Sequence, residues 1–216
     1  MNISENIKKY KNELLEDVTL VAISKTKPIE FVLEAYNAGQ RIFGENKIQE
    51  MVDKYEALPK DIEWHMVGHV QTNKVKYMAP FVKLIHAVDS LKLLKEINKQ
   101  AKNNNRLIEC LLQIKIAEEE TKFGITIKEA EHILNSEEFK RMNHVKVVGL
   151  MGMATFTENE NQVSNEFSFL KKHFDFLKQK NQDFQILSMG MSGDYKIAIA
   201  NGSSMVRLGS SIFGER

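Results

Sequence analysis

The feature that most constrains the fold of this chain is a regular alternation between short apolar runs and segments of helical period. Eight runs have the length and residue types of buried strands. They span residues 18–24, 40–44, 62–68, 84–88, 107–116, 145–151, 185–188 and 205–208. Most are apolar on both faces, which is typical of parallel strands covered by helices rather than of a half-exposed antiparallel sheet.

The segments between these runs carry apolar residues at helical spacing, and a similar stripe from Ile3 to Leu14 indicates a helix before the first strand. No linker or low-complexity tract interrupts the alternation. The pattern therefore predicts an α/β fold with one domain, residues 1–216, folded as a single (β/α)8 barrel of the TIM type with an extra N-terminal helix. An open doubly wound sheet is less favoured, because no glycine-rich dinucleotide turn follows the first strand.

Composition excludes several classes of partner. The chain has 30 basic and 29 acidic side chains, so its net charge of +1 gives no reason to expect binding to nucleic acid or to an anionic membrane. It holds one cysteine, Cys110, in an apolar run, which fits a buried thiol in a reducing compartment. No apolar stretch reaches the roughly 18 residues of a membrane span. We expect a cytoplasmic protein.

Lys25 is the first candidate for chemistry, because it comes directly after the apolar first run. Strand parity places it on the same side as Thr19, Val21 and Ile23. A lysine amine without its extra proton is the nucleophile that forms imines with aldehydes, and burial favours loss of that proton. The residues alone leave a second interpretation open, in which Lys25 pairs with a carboxylate or extends to solvent. Lys27 is expected in the loop, nearer to water.

The last two loops are rich in glycine and serine. Their hydroxyl and backbone N–H groups can bind phosphate, and barrels commonly bind it after strands seven and eight. Ordinary turns have the same composition, so that interpretation also stays open. The residues of this pattern are Ser188, Gly190, Ser192, Gly193, Gly202, Ser203, Ser204, Gly209, Ser210 and Ser211.

Arg207 lies in the otherwise apolar eighth run. A buried guanidinium needs an acceptor, either a carboxylate in the core or a group on a ligand. Together, the amine, the anion cradle and this cation suit a flat aldehyde that carries a phosphate, and pyridoxal 5′-phosphate (PLP) has these features. Its aldehyde would meet Lys25 and its pyridine nitrogen Arg207. Its phosphate would meet Ser192 and the loop of Gly209 and Ser210.

Several longer motifs occur in order along the chain. They are VAISKTKP (21–28), FGEN (43–46), WHMVGHVQTNK (64–74), LSMGMS (187–192) and GSSMVRLG (202–209). With these motifs the chain closely resembles the pyridoxal-phosphate homeostasis family, which is related to the barrel domain of alanine racemase. The resemblance covers nearly the whole sequence, and several motifs in the right order are far more specific than any one of them.

The resemblance implies a fold-type III PLP-binding barrel with the cofactor held as an imine on Lys25. It implies that Arg207 faces the pyridine nitrogen, that the phosphate lies in the last two loops, and that two further residues line the pocket. The residues that it assigns to cofactor binding are Lys25, Asn46, His65, Ser192, Arg207, Gly209 and Ser210.

The resemblance also implies intracellular PLP homeostasis by reversible binding, without catalysis. Alanine racemase takes a second acid/base group, a tyrosine, from a partner subunit in a dimer built with a C-terminal β-domain. Here the chain ends eight residues after the last predicted strand, so we expect no such domain and a monomer. The expected partners are PLP and, as recipients, PLP-dependent apo-enzymes, with neither nucleic acid nor membrane.

Two other functions remain open from the sequence. One is a small PLP-dependent racemase-like enzyme that uses water or His65 in place of the tyrosine. The other is a Schiff-base aldolase that acts on a sugar phosphate without a cofactor. A metal site is not expected, because His65 and His69 would form a zinc pair only on a helix and they fall on the third strand. Lys122 is assigned to surface ion pairs.

Overall fold

A computed structural model of the protein describes residues 2–119 and 123–215, so the prediction for Lys122 lies outside the described residues. Within those ranges, eight parallel strands close into a barrel in sequence order, and β8 pairs with β1. The strands are β1 (Thr19–Ile23), β2 (Ile42–Glu45), β3 (Glu63–Met66), β4 (Leu84–Val88), β5 (Ile108–Ile114), β6 (Val145–Gly152), β7 (Ile186–Met191) and β8 (Met205–Leu208). The predicted TIM-type barrel is confirmed.

Helices separate consecutive strands, and one helix precedes β1. They are α1 (Ile3–Glu13), α2 (Ile29–Asn37), α3 (Ile48–Ala57), α4 (Val75–Met78), α5 (Leu91–Asn103), α6 (Ile127–Asn135), α7 (Glu137–Lys140), α8 (Glu160–Lys180), α9 (Tyr195–Ala200) and α10 (Ser210–Phe213). The leading helix α1 packs against α2 and α10, where the Asn6 side chain donates to the carbonyl of Ile212 at 3.0 Å.

Local sequence signals explain where several helices begin. The hydroxyl of Ser90 accepts a hydrogen bond from the backbone N–H of Leu93, and Thr126 with Glu129 forms a capping box at the start of α6. These contacts satisfy N–H groups that have no partner inside the first turn. Pro28 is the residue before α2 rather than a member of its first turn.

Two apolar layers hold the barrel together. The larger layer joins the outer face of the strands to the helices and contains Leu20 and Ala22 of β1. The smaller layer fills the barrel interior, where Val21 and Ile23 of β1 meet Leu84, Leu111, Val148 and Met205 from other strands. Alternate residues of β1 therefore face opposite layers, as the parity of the first strand predicts.

Cys110 lies on β5 and is fully buried with a free thiol, as predicted. Burial raises the pKa of this thiol, so it stays protonated and weakly nucleophilic. Among the described residues, no helix combines the length and the apolar character needed to cross a membrane.

Candidate functional site

A cavity of about 600 Å³ opens at the carboxyl ends of the barrel strands. This is the end at which TIM barrels place their sites, because the loops after all eight strands converge there. Six of the seven residues predicted for cofactor binding line the cavity: Lys25, Asn46, Ser192, Arg207, Gly209 and Ser210.

Lys25 lies two residues after the end of β1 and is partly buried in the cavity wall. Lys25 has the same strand parity as Val21 and Ile23, so it continues the interior face of β1. Lys27 also lines the cavity, but its ammonium donates to the carbonyls of Gly214 and Glu215 at 2.9 and 2.8 Å. Lys27 is thus held by the C-terminal segment and is half-buried, whereas the sequence prediction places it nearer to water.

The loops after β7 and β8 meet at the hydroxyl of Ser192. The oxygen of this hydroxyl accepts hydrogen bonds from the backbone N–H groups of Gly209 at 3.2 Å and Ser211 at 3.4 Å, and it lies 3.1 Å from the Ser211 hydroxyl. Two backbone N–H groups and the Ser211 hydroxyl therefore converge on the Ser192 hydroxyl, which belongs to a residue of the cavity wall. Such a cluster of donors suits an anion with several acceptor oxygens.

Arg207 brings a cation into the barrel interior, where the residue is only 5% exposed. Its guanidinium donates to Ser188 Oγ at 2.7 Å and to the carbonyl of Gly152 at 3.0 Å, and both acceptors are neutral. Burial lowers the pKa of Arg207 to about 10, against the opposing charge of Asp194, so it remains charged at neutral pH. Its other N–H groups can serve an acceptor in the cavity.

His65 is the predicted site residue that the cavity wall does not include. It lies within the barrel, where its Nδ1 is 3.0 Å from Nε2 of His86, and Nδ1 of His86 is 3.1 Å from Ser188 Oγ. Burial lowers the pKa of His65 to about 3 and that of His86 well below 6.5. Both imidazoles are therefore neutral at pH 7.

One arrangement of the hydrogens in this row satisfies every contact, including that of Ser188 with Arg207. Since Ser188 Oγ accepts from Arg207, its own hydrogen can be donated to Nδ1 of His86. His86 then carries its proton on Nε2 and donates to Nδ1 of His65. We name the row of His65, His86 and Ser188 the histidine row. It connects His65 to Arg207 without contact between His65 and the cavity.

Asn46 reaches the cavity because the loop after β2 lies against the end of β3. At Gly68 an added Cβ would lie 2.4 Å from the carbonyl oxygen of Asn46, so a larger residue would displace this loop.

The sequence analysis did not identify His86 as a residue near Arg207. His86 lies two residues after Leu84 on β4, so strand parity places it on the same interior face as Leu84, and this pattern could have indicated its position. The sequence analysis also missed Gln113 of β5, which lines the cavity.

The chain is similar over nearly its whole length to proteins of a known family. The family described as "Alanine racemase, N-terminal domain" matches residues 1–216. The pyridoxal phosphate homeostasis protein of Aquifex aeolicus is 42% identical over 200 residues, which are 91% of this chain and 86% of that protein. The protein of the same name from Haemophilus influenzae is 38% identical over 235 residues, covering 100% of this chain and 97% of its own.

Solved structures agree with the fold. PipY of Synechococcus elongatus PCC7942, determined with PLP bound, superposes with a TM-score of 0.89 at 30% identity, covering 98% of this chain and 100% of its own. Alanine racemase of Clostridium difficile 630 shares the fold, with a TM-score of 0.79 at 16% identity over 100% of this chain and 57% of the racemase. The chain belongs to the "Alanine racemase, N-terminal domain" family and, within it, to the pyridoxal phosphate homeostasis proteins.

Proposed function

We propose that this protein holds pyridoxal 5′-phosphate reversibly as a Schiff base with Lys25 and thereby takes part in homeostasis of that cofactor. The observation that carries the proposal is the meeting of a lysine amine, a buried guanidinium and an anion cradle in one cavity of about 600 Å³. The names of the relatives and the PLP-bound structure of PipY support it.

The cavity wall fits this ligand. Arg207 is a buried cation with neutral acceptors, so it can offer a charge-assisted hydrogen bond to a ring nitrogen that lacks a proton. The donors around Ser192 suit a phosphate, and Ser210 lies beside them on the wall. Arg207 and the donors around Ser192 line the same cavity, and the volume of this cavity is in the range of small-molecule sites.

The cofactor would supply an aldehyde carbon, and this chain would supply everything that captures it. Lys25 provides the amine, which any incoming amine can displace, so capture is reversible. Arg207 disfavours protonation of the pyridine ring and so weakens the ring as an electron sink. This effect of Arg207 does not by itself decide whether the cofactor is held or used.

We infer that the protein is not a racemase. Racemisation needs acid/base groups on both faces of the substrate carbon, and the wall of the described cavity contains no tyrosine. The five tyrosines of the chain all lie on helices: Tyr10, Tyr36, Tyr55, Tyr77 and Tyr195. His65 is a poor replacement, since it is neutral and its Nδ1 is engaged by His86.

The experiment that separates these functions is α-proton exchange. Purified protein loaded with PLP is incubated with single amino acids in deuterated water, and deuterium at the α-carbon is measured by mass spectrometry. We expect stoichiometric PLP, recovered intact after dialysis against an amine, with no incorporation above free PLP. Catalytic incorporation would establish the racemase-like function instead. Failure to bind PLP, with cleavage of a sugar phosphate, would favour the aldolase.

Further parts of the proposal concern the setting of the protein. We infer one domain, a cytoplasmic location and a monomer, and we infer that PLP-dependent apo-enzymes receive the cofactor. The single buried cysteine supports a reducing compartment, since the thiol neither needs nor makes a disulfide. Light scattering during size-exclusion chromatography tests the monomer directly.

A further inference from the structure

A buried ionic cluster lies behind Lys25, on the side of β1 that faces the helices. Lys54 of α3 is the centre of this cluster, and its side chain is 4% exposed. Its ammonium donates to Glu45 Oε1 at 2.7 Å, to Glu50 Oε1 at 2.8 Å and to the carbonyl of Ser24 at 2.7 Å. The three N–H groups of the ammonium thus each have an acceptor. The residues of this cluster do not line the cavity.

The cluster holds the backbone on both sides of Lys25. Before it, the carbonyl of Ser24 accepts from Lys54, and the Ser24 hydroxyl donates to Glu45 Oε1 at 2.6 Å. After it, the backbone N–H of Thr26 donates to Glu50 Oε1 at 2.5 Å. Lys25 therefore lies between two peptide groups that the cluster holds. The Ser24 carbonyl binds the Lys54 ammonium, and the Thr26 N–H binds the Glu50 carboxylate.

The local backbone explains why such a clamp is needed. The N–H of Lys27 donates to the carbonyl of Ser24 at 3.0 Å, which closes a tight turn with Lys25 and Thr26 at its centre. Thr26 has φ of 63°, in the left-handed region that β-branched residues seldom adopt. A turn of this kind persists only where the surroundings fix it.

We propose that Lys54 and Glu50 are positioning residues for Lys25: through the Ser24 carbonyl and the Thr26 N–H they fix the turn that aims the Lys25 amine into the cavity. This inference rests on the proposed function, because it assigns a purpose to the turn only if Lys25 captures an aldehyde. It predicts that the cluster affects capture of an aldehyde and leaves the phosphate cradle unchanged.

The test compares Glu50→Ala with Glu50→Gln. Alanine removes the acceptor for Thr26, whereas the amide oxygen of glutamine retains it. Each protein is titrated with PLP and with pyridoxine 5′-phosphate, which has the same phosphate and ring but no aldehyde. For Glu50→Ala we expect PLP affinity to fall about tenfold, the loss expected for one hydrogen bond to a charged acceptor. Affinity for pyridoxine 5′-phosphate should stay within twofold of wild type.

A second readout needs no ligand. Amide hydrogen exchange at Thr26 should accelerate in Glu50→Ala and remain close to wild type in Glu50→Gln. The matched control is Asp175→Ala, which removes the i,i+4 partner of Lys171 on α8 just as Glu50→Ala removes that of Lys54 on α3. We expect no change of either readout in the control.

The outcomes separate this inference from the function on which it rests. If wild-type protein fails to form an adduct with PLP, the proposed function fails. If wild type forms the adduct and Glu50→Ala binds PLP equally well, the positioning role is wrong. Equal losses for PLP and pyridoxine 5′-phosphate would also overturn it, since they indicate a general structural role. Lys54→Met, if it folds, should reproduce the selective loss.

Discussion

At the scale of single residues, neutral acceptors inside the barrel orient the Arg207 guanidinium and leave its positive charge unpaired by a carboxylate at those contacts. The histidine row ends at Ser188, whose oxygen accepts from Arg207, so the orientation of the guanidinium is set by neutral groups. A carboxylate in place of Ser188 would neutralise the arginine and compete with a ligand for it. The neutral row therefore keeps a buried positive charge available to the cavity.

The histidine row makes stability depend on pH. The pKa of His65 is lowered to about 3 and that of His86 falls well below 6.5, whereas in the unfolded chain each imidazole takes up a proton near its ordinary pKa. Their contribution to stability is therefore complete above pH 6.5 and falls as the pH is lowered, and for His65 the loss is about 2 kcal/mol at pH 5. Burial raises the pKa of Glu45, which acts in the opposite direction.

Two measurements check this prediction. Urea unfolding at pH 7.5 and pH 5 should show the loss of stability, and nuclear magnetic resonance of the imidazoles should show that His65 and His86 do not titrate between pH 8 and pH 5 in the folded protein. A ring signal from either residue that moves through this range would contradict the neutral row.

What the sequence predicts at this scale is the direction of a side chain along its own strand. The parity of β1 puts Lys25 on the interior side, and the structure agrees. Contacts between strands could not be predicted in this way, because the contact of His65 with His86 depends on the register between β3 and β4. The left-handed conformation of Thr26 was equally unpredictable, since its turn depends on Glu50 of α3, which lies 24 residues further along the chain.

At the scale of elements, Gly149 of β6 is a position where two neighbouring strands leave no room for a side chain. Its φ is 157°, and an added Cβ would lie 1.8 Å from the carbonyl oxygen of Ile186 on β7. The register between β5 and β6 also shifts close by, between Cys110 and Leu111. The barrel therefore has no space for a side chain at this position.

Gly149→Ala should destabilise the protein by roughly 3 kcal/mol or more, because the new methyl group forces β6 and β7 apart. Gly193→Ala is the matched control, since its added Cβ would have no atom within 4 Å. Its effect should be within about 0.5 kcal/mol of wild type. Urea unfolding of the three proteins measures both values, and similar stability of Gly149→Ala and wild type would show that the strands can separate without loss.

All eight strands were predictable in position, but their ends and the short helices were not. β7 continues to Met191, three residues beyond the prediction, because Met191 pairs with Arg207 of β8 after a register shift. Helices α4, α7, α9 and α10 have four to six residues and are too short to show a helical period. Tertiary packing decides such segments.

At the scale of the whole molecule, recognition of an anionic ligand does not require a basic protein. The net charge is +1, yet the cavity combines one guanidinium, the amines of Lys25 and Lys27, and the donors around Ser192. Alternating strands and helices, which are visible in the sequence, bring these groups together only when the barrel closes β8 onto β1. The site is thus a property of the closed fold.

The most direct test of the account is to locate the attachment of PLP. Protein loaded with PLP is reduced with borohydride, digested and analysed by mass spectrometry. We predict one pyridoxyl group per chain, carried by Lys25, and loss of this adduct in Lys25→Ala. Modification confined to Lys27 or to lysines outside the cavity would contradict the central claim.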